Sequence, residues 1–335
     1  MKFLIAGYGS IGRRHLRNLL ALGEQDILLY RTHHSTLPDQ DEASRFPVVT
    51  SLEEAFAARP DAVIISNPTA LHLDVAIPAA EMGCAILMEK PVSHTMERVA
   101  DLRRAVQRGG GALLVGFHYR YHPTLKMAAR MIADRAIGTP CFARAHWGDY
   151  LPNWHPWEDF RQGYAARPDL GGGVILTLCH PFDYLRWMLG EVEMLFARTA
   201  SSAGLSLAVE DTAEVVLNFS QGVIGSVHLS YIQQPPVHTL EVVGASGTLR
   251  WENASGVLSI YTHDNPNWQT YRPPEGFERN WMFMEEMRDF LAAARGTAID
   301  YCTLEDGIRA LEIALAARQS GSDGLPQHLV NRSVM

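Results

Sequence analysis

Six residues, Gly7-Tyr8-Gly9-Ser10-Ile11-Gly12, stand directly behind a short apolar run, Lys2 to Ala6, and directly ahead of a segment of helical period that stops at Gly23. A G-x-G-x-x-G run between a strand and a helix leaves few folds open. The first glycine permits a tight turn, the second lets the backbone approach a pyrophosphate, and the third lets the helix pack closely on the strand. The amino end of that helix then faces the negative charge. The motif predicts that Gly7, Tyr8, Gly9, Ser10, Ile11 and Gly12 hold a dinucleotide. An acidic residue about 20 positions on would bind the ribose 2′-hydroxyl of NAD. The end of the second strand carries Tyr30, Arg31 and Thr32 instead. A cation there suits the 2′-phosphate of NADP, through a charge-assisted hydrogen bond worth roughly 1.5 to 3 kcal/mol. NADP is therefore expected over NAD, with Arg31 as its reader.

The pattern keeps switching between apolar runs and helical periods, which is how a parallel sheet with crossover helices reads. Strands are expected at Lys2 to Ala6, Asp26 to Arg31, Ala62 to Ser66, Ala85 to Met88 and Ala112 to Gly116. Helices are expected at Ile11 to Leu22, Ser51 to Ala58, Ala70 to Met82 and Thr95 to Arg108. The result is an α/β fold whose first part is a doubly wound Rossmann sheet. At 335 residues the chain exceeds what one core usually organises, so two domains are expected, residues 1–120 and 121–335. In the second, Val215 to Phe219 and Val223 to Tyr231 flank a short turn, and Leu240 to Val243 and Thr248 to Trp251 flank another, so a hairpin-built sheet follows. Asn280 to Ala294 and Leu304 to Arg318 have helical period, the latter behind a Thr303 and Asp306 capping-box pattern.

A formal charge of -8 argues against a phosphate backbone or an anionic membrane as the main partner. Cys84, Cys141, Cys179 and Cys302 lie far apart, which suggests neither a metal ribbon nor a redox pair and fits a reducing compartment. The first apolar run is too short for a signal peptide or a membrane span. The expectation is a cytoplasmic enzyme with no metal, nucleic-acid or membrane partner.

Where the strand at Ala85 to Met88 ends, the chain reads Glu89-Lys90-Pro91. A lysine at the carboxyl edge of such a sheet faces the ligand crevice, and burial would lower its pKa toward neutrality, where it can exchange a proton. The accumulated motifs resemble the glucose-fructose oxidoreductase, inositol dehydrogenase and rhizopine catabolism family, written Gfo/Idh/MocA. The resemblance spans nearly the whole chain. It rests on the fingerprint with His15 behind it, on Asn67-Pro68-Thr69 with His72, on Glu89-Lys90-Pro91, on Gly116 to Pro123 with His118 and Arg120, and on Gly171-Gly172-Gly173 leading to His180 and Asp183.

This resemblance implies a Rossmann domain followed by an α/β domain with a large, mostly antiparallel open sheet, and a homodimer or homotetramer. It implies Lys90 as the catalytic lysine, with His180 at the reacting carbon and Asp183 orienting its ring or anchoring its helix. Asn67, Pro68, Thr69, His72, Glu89 and Arg120 would join the cofactor site, and His118 the substrate site. Thr177 stands where many members carry an acid, which puts a Lys-Asp-His arrangement in doubt. Between Phe142 to Trp147 and the glycine run lies a polar, aromatic segment holding Trp154, His155, Trp157, Arg161 and Tyr164. Aromatic faces with polar tips suit sugars, and Trp154, His155, Arg161 and Tyr164 are the expected contacts. The function this implies is hydride transfer between a nicotinamide and a secondary alcohol of a sugar, polyol or sugar nucleotide. A redox-assisted lyase or glycosidase and a non-catalytic dinucleotide-binding regulator are the alternatives.

Overall fold

The chain's structure, a computed structural model, describes residues 1–32, 41–156, 158–202 and 204–329; Trp157 lies outside the described residues. The first part runs β1 (Phe3–Ala6), α1 (Ser10–Ala21), β2 (Ile27–Tyr30), β3 (Val48–Val49), α2 (Leu52–Ala57), β4 (Ala62–Ile65), α3 (His72–Glu81), β5 (Ala85–Glu89), α4 (Val99–Gly109) and β6 (Leu113–Gly116). β1, β4 and β5 are buried along their whole length, which is why their sequences are unbroken apolar runs rather than alternating ones. The strand order is β3-β2-β1-β4-β5-β6, all parallel. The order reverses between β1 and β4, so the crevice for a ligand opens beside Gly7.

Two local departures have visible causes. β3 is only two residues long, too short to carry a period. The helix expected from Thr95 starts instead at Val99, because Arg98 takes a left-handed φ of 62°. The capping signals are realised: Ser51 accepts the Glu54 N–H at 3.2 Å, and Thr303 forms a reciprocal box with Asp306.

The second part contains α5 (Pro123–Ala133), β7 (Pro140–Tyr150), α6 (Val174–Thr177), α7 (His180–Leu189), β8 (Val192–Ala200), β9 (Thr212–Phe219), β10 (Ile224–Ser230), β11 (Ile232–Gly244), β12 (Gly247–Glu252), β13 (Val257–Thr262) and β14 (Gln269–Tyr271). α8 (Arg279–Ala294), α9 (Leu304–Asp323) and β15 (Gln327–His328) complete it. Nine strands form one sheet, β14-β13-β12-β11-β7-β10-β9-β8-β15. Only β7 and β10 pair in parallel; the other neighbours are antiparallel. One face buries Ala143, Ala145, Val215, Leu217, Val227 and Leu229 toward α5, α7 and α9, while Arg144, Glu214, Val216 and Ile224 on the other face are exposed.

The end of the chain then returns to the first sheet. α8 packs Met287, Phe290 and Leu291 into the cluster that holds Phe3 and Ile5 of β1. Below β6, Arg120 grips Asp183 of α7 with two hydrogen bonds, of 2.6 and 2.9 Å, and reaches Asp306 of α9 at 3.5 Å. Breaking a buried pair of this kind leaves an uncompensated charge and costs about 3 to 5 kcal/mol. Denaturant unfolding of Asp183→Asn and of Arg120→Met should each show a loss of that order, and the double replacement R120M/D183L should recover most of it. Single losses within experimental error would remove this pair from the fold's main supports.

Candidate active site

The glycine turn has the geometry of a cradle. Gly7 lies at φ +96°, and a β-carbon on it would stand 2.5 Å from the Asn67 nitrogen. A β-carbon on Gly12 would stand 2.1 Å from the Gly7 carbonyl oxygen, so α1 sits directly on the turn. At Gly9, by contrast, nothing lies within 4 Å of that position. The start of α1 has no side-chain cap and no acid in its first turn. Its free N–H groups therefore point at open space with a favourable dipole, which fits a pyrophosphate. Opposite, His72 lies 3.0 Å from the Asn67 carbonyl and 2.9 Å from that of Pro91, which ties the Asn67 to Thr69 loop to the end of β5. Burial pushes His72 down to about 4, against the two carbonyl contacts, which favour the protonated ring.

Lys90 emerges at this edge. Its Nζ donates to the Thr177 carbonyl at 2.7 Å. Behind it, Glu89 and His15 of α1 meet at 2.9 Å in a buried contact. Burial alone would raise Glu89, but the His15 bond and the charges of His15 and Lys90 hold it below the usual carboxylate range. Burial alone would likewise lower Lys90, yet Tyr164, Cys179 and Glu89 outweigh it and the direction is upward. Burial pushes the Cys179 thiol up to about 11 and raises the Tyr164 phenol too. The direction at Lys90 is opposite to the expected fall toward neutrality.

His180, 1% exposed, stands 4.4 Å from the ring of His118 and 5.6 Å from that of Trp147. Neither ring nitrogen of His180 or His118 has a partner among the described residues. Burial, then the neighbouring charges, sets both far below the ordinary histidine value. Two neutral imidazoles with unused nitrogens line a site that a hydroxylated ligand would complete.

The remaining expected residues divide. Tyr164 reaches Lys90's surroundings while keeping 38% of its surface exposed. Arg31 and Arg13 lie over the Tyr8 ring at 5.1 and 5.2 Å, and Thr32 is exposed beside them. Trp154 packs edge-on against Tyr231, and Arg161 pairs with Asp159 at 3.4 Å on the exposed loop that also carries His155. Asp183 does not orient His180: its carboxylate is bound to Arg120. Arg120 thus anchors α7, and its guanidinium lies over Trp187. Thr177 contributes its backbone oxygen.

Sequence reasoning placed α8 but named none of its residues for the site. Phe283 stacks on His118 at 4.2 Å, and one turn later Glu286, 1% exposed, has no partner for either oxygen among the described residues. The signal was present, since Glu286 interrupts the apolar stripe Phe283, Met287, Phe290.

The description "Oxidoreductase family, NAD-binding Rossmann fold" matches residues 1–117, and "Oxidoreductase family, C-terminal alpha/beta domain" matches residues 129–328. The chain belongs to the Gfo/Idh/MocA oxidoreductase family. Its relatives in that family include 1,5-anhydro-D-fructose reductase of Ensifer adhaerens, 29% identical over 82% of each chain. Myo-inositol 2-dehydrogenase of Thermotoga maritima is 25% identical over 96% of each. The solved levoglucosan dehydrogenase in complex with NADH and levoglucosan has the same fold, with a TM-score of 0.86 at 20% identity over 98% of this chain and 99% of that one. The antiparallel-rich second sheet expected of a Gfo/Idh/MocA protein is the one observed.

Two measurements probe this site. Gly9→Ala should leave unfolding stability unchanged and weaken dinucleotide binding, whereas Gly12→Ala should destabilise the fold by about 1 to 3 kcal/mol through the clash with Gly7; equal stability losses would contradict the cradle. Burial, with Glu89 and Asp289 nearby, raises Glu286 well above 4.5, so it is neutral when folded and ionises on unfolding. Stability from this group is thus lost as pH rises past 4.5. Glu286→Met should stabilise the protein at neutral pH by about 1 to 3 kcal/mol. Thermal melts should show the gain vanishing on acidification below 4.5, and a gain independent of pH would contradict it.

Proposed function

We propose that the chain is an NAD(P)-dependent dehydrogenase or reductase acting on a secondary alcohol or ketone of a sugar, polyol or sugar nucleotide. Residues 1–120 carry the cofactor, and residues 121–335 carry the substrate and the contacts between copies. The observation that carries the reading is the cationic Lys90 beside two partnerless buried imidazoles, next to a glycine cradle open at Gly9. The sugar and polyol enzymes among the relatives support the substrate class. The dinucleotide, when bound, supplies or accepts the hydride. Gly7, Gly9 and Gly12 with the start of α1 would hold its pyrophosphate, and Arg31 its ribose end.

Lys90 handles the proton. As an ammonium ion it donates to a developing alkoxide during ketone reduction; for alcohol oxidation it must first release its proton, which burial favours and Glu89 opposes. His180 and His118, neutral, hydrogen-bond the reacting hydroxyl and its neighbour without competing for that proton. Tyr164 and Trp154 offer ring faces and polar tips to the sugar. Arg31 supports a preference for NADP over NAD. The open face of the nine-stranded sheet, with Val216 and Ile224 exposed at 42% and 52%, supports a homodimer or homotetramer, which sedimentation would reveal or refute. A cytoplasmic setting follows from the cysteine usage; among the described residues no helix is long and apolar enough to cross a membrane.

Lys90→Met is the decisive variant. Loss of general acid-base help should cut turnover by about 10² to 10⁴ while dinucleotide affinity, read by calorimetry with NADP and with NAD, stays near that of the parent. Turnover within a few-fold of the parent would refute the role of Lys90, and tighter binding of NAD would refute the role of Arg31.

A further inference from the structure

Arg279 opens α8 and is exposed, with no hydrogen bond or ion pair among the described residues. Its guanidinium lies 6.0 Å over the Phe283 ring, and that of Arg14 lies 4.7 Å over the same ring. Phe283 stacks on His118, which in turn meets His180, so both cations stand at the rim of the site that holds Lys90. Arg14 is bonded through one terminal nitrogen to the neutral Asn280 at 3.0 Å, and its buried Nε has no partner among the described residues. The charge of Arg279 acts on Lys90, His118, His180 and Tyr119.

Two acids face these three cations: Glu89, which is engaged by His15 and acts on Lys90 and Arg14, and Glu278, the N-terminal cap of α8, which acts on Arg14. A chain with a formal charge of -8 thus concentrates a lysine and two arginines at one cleft. Arg279 itself has no acid bound to it among the described residues, and an anion that joined it would gain from all three cations. Arg14 and Asn18 of α1 are both tied to Asn280 of α8, so the Arg14 guanidinium is held beside Arg279.

We propose that Arg279, with Arg14, recognises an anionic oxygen group on the substrate, a carboxylate or a phosphate, so that the preferred substrate is an acidic sugar rather than a neutral one. The partnerless nitrogens of His118 and His180 receive the hydroxyls of the same molecule. This inference rests on the oxidoreductase reading above and specifies its substrate class.

The test is calorimetric titration of the full chain, saturated with NADPH or NADH, with uronates, hexose 6-phosphates and the matched neutral hexoses. A charge-assisted contact predicts that at least one acidic sugar binds about 10- to 100-fold more tightly than its neutral counterpart. In R279Q that preference should fall to within about two-fold, while affinity for neutral hexose and dinucleotide is unchanged. A uronate preference identifies carboxylate as the recognised group, and a preference for the 6-phosphate identifies phosphate. Equal binding of acid and neutral sugars, no binding of any acid, or a preference that survives in R279Q overturns the inference while leaving the oxidoreductase reading intact. Failure of the chain to bind either dinucleotide overturns both.

Discussion

The contact between Glu89 and His15 joins the two elements on which the site is built. Glu89 ends β5 and His15 lies on α1, so a single buried hydrogen bond of 2.9 Å fixes the first helix against the strand that presents Lys90. The same carboxylate favours the ammonium form of Lys90. Position and protonation of this amine therefore share a cause. Removing the charge would loosen the helix and ease deprotonation of the lysine at once.

The second support is the return of α8 to the first sheet. Its later turns complete the core around β1, and its first turns bring Arg279 and Phe283 beside Arg14 and His118. The substrate wall is thereby tied to the packing of the cofactor-binding part, and a shift of one is felt by the other. The Arg120, Asp183 and Asp306 cluster does the same for α7 and α9, holding His180 by its helix rather than by its ring.

Much of this was legible in the residues. The glycine spacing, the unbroken apolar strands and the caps at Ser51 and Thr303 are local rules, and they led to the parallel sheet and its ligand edge. The motif resemblance pointed to Lys90, His118 and His180. At Asp183 it left ring-orienting and helix-anchoring open, because a side chain's partner depends on what packs opposite it: here Asp183 and Arg120 bind each other. The expected fall of Lys90, argued from burial alone, is not met. Burial was anticipated for the lysine, but not the balance between burial and Glu89, nor the depth at which the imidazoles lie.

By itself, then, the order of residues determined which segments are helices and strands, where the pyrophosphate cradle lies, and which lysine stands at the carboxyl edge, since each follows from contacts within about twenty positions. Only the tertiary structure decided which acids are charged, which cations are unopposed, and that α8 closes the site. Those properties depend on groups 74 to 266 residues apart in sequence meeting at distances of a few ångströms, where solvent is excluded and electrostatic effects are strong.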